Sequence, residues 1–266
     1  MLVRLNGAEL DLVDEGAGVP VVFSHGGSSD LTYWEPQQVA FAERYRFVAY
    51  SRRFHGRSTA PDDADDSALA HTHDLVELIR SLAAGPVHLV GFSTAIGIRA
   101  ARAAPGLLRS LTIIEPNLPW LLESDAGGLA TLTEWRAATA AARAAAEGDE
   151  SVRARLWFEL VNNRGSGSFD AQPEPFRRMW LENFGVRRSP ASPADRIGCD
   201  ELHQIPTPTL ALGSEHGVRF SRRILDRVAA CLPVAELRIL PGATHFMSYQ
   251  APEAFNEVLF DFFARH

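Results

Sequence analysis

The stretch L-V-G-F-S-T-A-I-G at 89–97 ends an apolar run at a glycine, offers one serine, Ser93, and continues in small residues able to open a helix. A serine there has two readings. It is among the commonest residues at helix starts, because its hydroxyl caps backbone N–H groups. On a sharp strand-to-helix turn, however, its Oγ is lifted above a sheet edge, where it can attack a carbonyl. That turn needs small neighbours; Gly91 and Ala95 supply them, the alanine with less room than a glycine. A serine hydroxyl is a poor nucleophile at neutral pH, so the chemistry also demands a base within hydrogen-bond reach and an acid that orients the base.

Nine histidines are available for the base. His71, His73 and His203 have polar neighbours in helical or loop stretches, His88 lies inside a strand and His266 is terminal, so surface or packing roles are expected for all five. His245 differs, because P-G-A-T-H-F-M is a loop after the last predicted strand, from which a side chain can reach back over the sheet's carboxyl edge. His25, in F-S-H-G-G-S-S-D, also follows a strand, and its glycines suggest backbone N–H groups that can face a developing oxyanion.

The elements that must position these groups follow from periodicity. Buried-strand patterns at 21–24, 47–50, 87–91 and 111–114 alternate with helical patterns at 31–43, 67–84 and 93–104, the signature of a parallel sheet with crossover helices. Residues 1–10 alternate like a strand. After Pro116 no comparable strand appears before 208–213, so 117–204 is expected to be a helical insertion, with 1–116 and 205–266 forming the core. The rhythm resumes with a helix at 220–231, a strand at 236–240 and a closing helix from 252. The acidic run at 62–66 is expected to be a solvated loop whose last members favour a helix start.

Composition narrows the function classes. With 46% hydrophobic and 22% charged residues the 266-residue chain matches an ordinary globular protein, and a net charge of −7 disfavours a nucleic-acid partner. Two cysteines, Cys199 and Cys231, are too few for a disulfide scaffold, lack zinc-ligand spacing and fit a reducing compartment. No signal-peptide pattern or bilayer-length apolar run is present, so a cytoplasmic monomer or homodimer acting on a small molecule, away from membranes, is expected.

In this order the strand followed by H-G-G, the Y-S-R-R-F-H-G-R-S segment, G-F-S-T-A, the helical insertion and G-A-T-H before a final helix resemble the α/β-hydrolase family over nearly the whole chain. The resemblance implies an α/β fold with a mostly parallel, doubly wound, eight-stranded sheet and a helical lid. It makes Ser93 the nucleophile, His245 the general base, and the backbone N–H groups of Gly27 and Thr94 the oxyanion hole, with no metal or organic cofactor. The family's acid commonly follows the strand at 208–213, but the corresponding position holds His216, which cannot do a carboxylate's work. Glu215 is adjacent, though one residue of offset turns a side chain to the opposite side. Glu115, in L-T-I-I-E-P, ends the strand after the nucleophile's helix, a place similar to that of the Glu acid in zearalenone hydrolases. A carboxylate ending a run of buried aliphatics is costly unless paired, and His245 would pair it, so Glu115 is favoured as the acid; the structural alternative is that Glu115 caps a neighbouring loop or pairs with an arginine such as Arg53. Ser51 and Phe54 stand where family members often have Asp and Gly, and Arg53 is expected in a structural ion pair.

The chemistry implied is acyl transfer to water: cleavage of a carboxylic ester or lactone through an acyl-enzyme. Epoxide hydrolases and haloalkane dehalogenases of this fold attack with aspartate, and the lid tyrosines of the former have no counterpart, because all four tyrosines lie outside the insertion. Trp120, Trp157 and Trp180 of the insertion, with His25, Gly26, Phe54 and Phe246, are expected to contact a bulky apolar or aromatic substrate. A lyase, a cofactor-free oxygenase or a ligand-binding receptor on the same scaffold is the alternative.

Overall fold

A computed structural model describes residues 1–186 and 196–266; positions 187–195 of the expected insertion lie outside the described residues. Asn6 and Gly7 both adopt positive φ, 48° and 77°, and turn the N-terminal stretch into a hairpin of β1 (Leu2–Leu5) and β2 (Ala8–Gly16). Two consecutive left-handed residues match the twist of a tight hairpin, which is why one alternating pattern becomes two strands.

Six further strands complete the sheet: β3 (Pro20–Ser24), β4 (Arg46–Tyr50), β5 (Val87–Phe92), β6 (Leu108–Ile114), β7 (Thr209–Ser214) and β8 (Ala235–Leu240). Their order is β1-β2-β4-β3-β5-β6-β7-β8; β2 runs antiparallel to both neighbours and all later pairs are parallel. β3, β5 and β7 are buried along their whole length, as a sheet covered on both faces requires. The chain leaves β3 for β4 on one side and later enters β5 on the other. Loops at the carboxyl ends of β3 and β5 therefore flank a crevice at this switch point, the usual place for a ligand.

Helices α1 (Glu35–Ala42), α2 (Ala68–Ser81) and α3 (Ile96–Ala103) connect the first strands. A 3-10 turn at Leu31–Trp34 precedes α1, and Ser67 caps α2 by accepting from the Ala70 N–H. The helix expected from Ser93 starts only at Ile96. Between β6 and β7 lie α4 (Ala126–Ala145), α5 (Glu150–Asn162), α6 (Glu174–Phe184) and α7 (Cys199–His203); α8 (Arg219–Cys231), α9 (Met247–Gln250) and α10 (Pro252–Phe263) follow.

One face of the sheet packs aliphatic side chains from α2, α3 and α8, among them Leu75, Ile98 and Val228. The other packs aromatics: the Phe23 ring lies 5.0 Å from each of Trp34, Phe41 and Phe47. A buried Arg53–Asp74 pair at 2.7 Å ties the loop after β4 to α2.

Two expectations need correction. Cys199 and Cys231 form a disulfide, with Cα atoms 5.0 Å apart, that joins α7 to α8. The bridge departs from the reducing-compartment reading; packing of α7 on α8 brings together cysteines 32 residues apart. Within the acidic run, Asp65 does meet solvent and bonds Ser67, but Asp66 is buried against the cavity described below. Among the described residues no helix is long and apolar enough to cross a membrane.

His88 on β5 is buried, shares a 2.7 Å hydrogen bond with Ser110 Oγ and stacks on Phe263. Burial, with smaller contributions from Arg109 and His266, lowers its pKa from 6.5 to about 4. The unfolded chain takes up this proton below 6.5 while the folded chain does not until about 4, so stability is lost as pH falls through that window. Denaturant unfolding at pH 7 and pH 4.5 should show the loss, and His88→Asn should shrink the difference by about 2 kcal/mol. An unchanged difference would contradict this account.

Candidate active site

Ser93 follows β5 with a φ of +56°, a left-handed backbone that a β-carbon strains and that keeps it out of α3. Its N–H donates to the Ile114 carbonyl at 2.8 Å, pinning the turn to the neighbouring strand end. Glu115 is the next residue along β6 and is also left-handed, with φ +40°. Its N–H bonds the Leu212 carbonyl at 3.2 Å, which places its side chain over the end of β7.

These two strand ends meet His245. Its Nε2 lies 3.1 Å from Ser93 Oγ and its Nδ1 lies 2.6 Å from Glu115 Oε2. The carboxylate accepts the Nδ1 proton, so the Nε2 lone pair faces the serine hydroxyl, which donates to it. Glu115 Oε1 accepts from the Ser214 backbone N–H at 2.9 Å and from the Ser214 hydroxyl at 2.5 Å. Burial raises the Glu115 pKa, but the hydrogen bond and charge of His245 and the two Ser214 bonds outweigh it, and the net shift is downward. The carboxylate stays ionised while only 3% exposed. Gly217 arches over it: a β-carbon there would come within 2.9 Å of Glu115 Oε1 and 2.3 Å of Ser214 Oγ, a requirement the sequence pattern did not announce.

The loop that carries His245 is held from outside the sheet. Thr244 Oγ1 lies 2.7 Å from Asn162 Oδ1 on α5, Gln250 Nε2 donates to the same oxygen at 3.0 Å, and the His216 N–H donates to the Ala243 carbonyl. Glu215, the other acid weighed, does not approach His245. It is half-exposed and accepts from the Gly242 N–H at 2.7 Å, the opposite orientation that one residue of offset produces.

Opposite Ser93, the Gly26 carbonyl accepts from Arg52 at 2.7 Å and from His25 Nδ1 at 2.8 Å, while His25 Nε2 accepts from the Arg52 N–H at 2.9 Å. In a trans peptide the C=O and the following N–H point opposite ways, so these bonds turn the Gly27 N–H away from Arg52. Gly27 and Thr94 both line the cavity. His25 and Gly26 do not: His25 is fully buried, its pKa driven well down by burial and by Arg52, and Gly26 packs under the Phe92 ring, where a β-carbon would meet Cδ1 at 2.9 Å. Both support the loop instead of reaching the cavity. Phe54 is also absent from the lining. The chain turns there through a φ of 68°, and its neighbours Arg52 and His55 reach the cavity instead.

The cavity over Ser93 and His245 has a volume of about 350 Å³. Trp120, Trp135, Trp157 and Trp180 line it from the inserted helices, with Phe246 beside His245 and Phe220 from α8. Trp180 Nε1 donates to the Ala154 carbonyl and Trp120 Nε1 to that of Ile197, so both indoles are polar-anchored and present hydrophobic faces. Trp135 stacks on Phe220 at 4.7 Å. Residues that pattern reading missed also line it, notably Ser29, Asp66, His71 and Arg99; His71 was expected in a surface or packing role and Asp66 in a solvated loop, yet both are buried beside the cavity. Among the described residues no group of three or more histidine, cysteine, aspartate or glutamate side chains is placed to hold a metal ion.

A doubly wound sheet with a serine elbow at its switch point defines an α/β-hydrolase architecture. Comparison with known proteins agrees: residues 21–258 match the model of the alpha/beta hydrolase family, and the chain belongs to it. It is 36% identical over 265 residues to a non-heme chloroperoxidase of Streptomyces lividans, covering 92% of this chain and 91% of that protein. It is 25% identical to the 2-(acetamidomethylene)succinate hydrolase of Mesorhizobium japonicum, covering 92% of this chain and 87% of that one. Among solved structures, Est816, described as an N-acyl homoserine lactone degrading enzyme, superposes with a TM-score of 0.75 at 26% identity, covering 98% of this chain and all of that one.

The hydrogen-bonded file leads us to expect Ser93 Oγ to be the most nucleophilic hydroxyl among the described residues. A fluorophosphonate should label Ser93, Glu115→Gln should slow labelling roughly 10²- to 10⁴-fold by imposing the wrong tautomer, and Glu215→Gln should change it by less than about twofold. Mass spectrometry of the labelled peptide checks this; a large loss at Glu215 with none at Glu115 would overturn the assignment.

Proposed function

We propose that this α/β-hydrolase is a serine hydrolase that opens a carboxylic ester or lactone through an acyl-enzyme. The observation that carries the reading is the file Glu115–His245–Ser93, at 2.6 and 3.1 Å, at the floor of a cavity that four tryptophans help to line. Ser93 Oγ attacks the carbonyl as His245 Nε2 takes its proton. Charge developing on the carbonyl oxygen is met by the N–H groups of Gly27 and Thr94, and the imidazolium by the Glu115 carboxylate. His245 then protonates the leaving oxygen and draws a proton from the water that releases the acid. The likeness to an N-acyl homoserine lactone degrading enzyme and to a succinate-derivative hydrolase supports hydrolysis of an acyl bond.

The segment 117–204 serves in this reading as a lid, between core segments 1–116 and 205–266. Hydrogen bonds from Asn183 on α6 to Asp30, and from the Gly56 N–H to Asn183, hold the lid helices to the core, and the tryptophans select a bulky apolar or aromatic group. The 36% identity to a non-heme chloroperoxidase favours a second reading, peroxide-dependent halide oxidation in the same cavity, which a chlorination assay tests directly.

Short-chain, long-chain and aryl esters, together with simple lactones, should be hydrolysed with kcat/KM rising at least about tenfold toward bulky aromatic members, since each added buried group contributes differential binding. Equal rates across the set would contradict the aromatic-pocket reading, and failure to turn over any member would contradict the hydrolase reading.

A further inference from the structure

The loop that carries His245 and the glycine loop of Gly26 and Gly27 are joined at a buried tyrosine outside the cavity. Tyr33 lies in the 3-10 turn that follows the glycine loop, is 1% exposed and does not line the cavity. Its ring stacks on Phe92, with centroids 4.7 Å apart and planes 6° from parallel. Phe92 directly precedes Ser93, and its ring lies 4.8 Å from that of His245. The Tyr33 hydroxyl accepts from Ser248 Oγ at 2.7 Å. Ser248 is buried in α9, three residues after His245, and its carbonyl accepts from Gln37 Nε2 of α1 at 2.7 Å. A circuit closes: from His245 along the chain to Ser248, across the hydrogen bond to Tyr33, through the ring stack to Phe92 and back to the imidazole.

The hydroxyl, more than the ring, sets this tyrosine apart. A phenylalanine would fill the same space and keep the stack, whereas a hydroxyl taken out of water weakens a fold unless it is hydrogen-bonded. Burial pushes the phenol above the ordinary tyrosine range; the Ser248 bond opposes this and the charge of Glu115 adds to it, so the group stays protonated at working pH and moves no proton. What the bond does is restrain. The base loop is braced just before His245, where Thr244 meets Asn162, and Tyr33 and Gln37 hold it just after. The imidazole must aim both nitrogens at once, Nδ1 at Glu115 and Nε2 at Ser93, and a misplacement of about 1 Å costs about a hundredfold in rate.

We infer that, given the hydrolase reading above, Tyr33 and Ser248 are positioning residues for the reaction: the hydrogen bond between them, acting through Phe92 and the base loop, fixes the His245 imidazole against Ser93. They set turnover and leave substrate affinity alone, since neither lines the cavity.

Tyr33→Phe removes one oxygen and keeps the ring; Ser248→Ala removes the other partner. With a 4-nitrophenyl ester that the wild type hydrolyses, each should lower kcat about fivefold or more with KM within about twofold, and fluorophosphonate labelling of Ser93 should slow in parallel. Both substitutions break the same bond, so the double variant should lose no more than the worse single instead of the product of the two losses. A purely structural role would lower the melting temperature and leave the kcat of the folded protein intact. A kcat within about twofold of wild type in folded Tyr33→Phe, or losses that multiply in the double variant, would overturn the inference; if Ser248→Ala does not fold, Tyr33→Phe decides alone. Proton NMR gives a readout that needs no turnover: the resonance of the His245 Nδ1 proton should broaden by exchange in Tyr33→Phe relative to wild type. Absence of both turnover and Ser93 labelling would defeat the hydrolase reading alone, and the resonance would then decide the positioning role: broadening in Tyr33→Phe supports it, and an unchanged line refutes it.

Discussion

A carboxylate held ionised at the buried end of a strand is the constraint around which this molecule is arranged. Glu115 sits 3% exposed at the end of β6, where burial alone would drive it to take up a proton. Its charge persists because one oxygen accepts both the N–H and the hydroxyl of Ser214 while the other accepts the His245 proton. Each of those donors has structural preconditions. Ser214 is delivered by the parallel pairing of β6 with β7, Gly217 must lack a side chain to pass overhead, and His245 is braced by Asn162 from the inserted helices. Loss of the His245 partner would leave a buried charge under-compensated, so the site and local stability are coupled through one residue.

The sheet topology supplies the rest of the geometry. Because β5 lies between β3 and β6, the turn carrying Ser93 is flanked on one side by the glycine loop and on the other by Glu115. Ser93 and Glu115 both adopt left-handed backbone, and the Ser93 N–H to Ile114 carbonyl bond locks the two strained turns together. Strain of this kind survives only where surroundings over-determine it, and here it aims two side chains toward the same imidazole. On the other flank, His25 and Arg52 hold the Gly26 carbonyl, so a residue that looks like a contact for substrate instead fixes the direction of a backbone N–H.

What the amino-acid pattern discloses and what it hides divide along a physical line. Ser93 and His245 stand out because turn chemistry is local: a glycine-flanked serine after an apolar run, and a histidine in a loop after a strand. Glu115 is legible because a carboxylate closing L-T-I-I needs a partner. The parallel sheet follows from the buried runs, whereas the Asn6–Gly7 hairpin is visible only when the pair is read as two left-handed residues. Tertiary placement is what hides the remainder. His71 has polar neighbours along α2 and Asp66 ends an acidic run, yet both are turned inward by the loops after β3 and β4. The Cys199–Cys231 bridge depends on how α7 meets α8, which spacing alone does not encode. Phe54 and its neighbours show the same limit at single-residue scale, since one left-handed φ decides which side chains reach the cavity.

The most direct test of the central interaction is proton NMR of the imidazole. The short bond from His245 Nδ1 to the Glu115 carboxylate should give a strongly downfield proton resonance, assigned by its absence in His245→Ala. It should persist in Glu215→Gln and vanish in Glu115→Gln. A resonance that survives Glu115→Gln, or one lost in Glu215→Gln, would contradict the account.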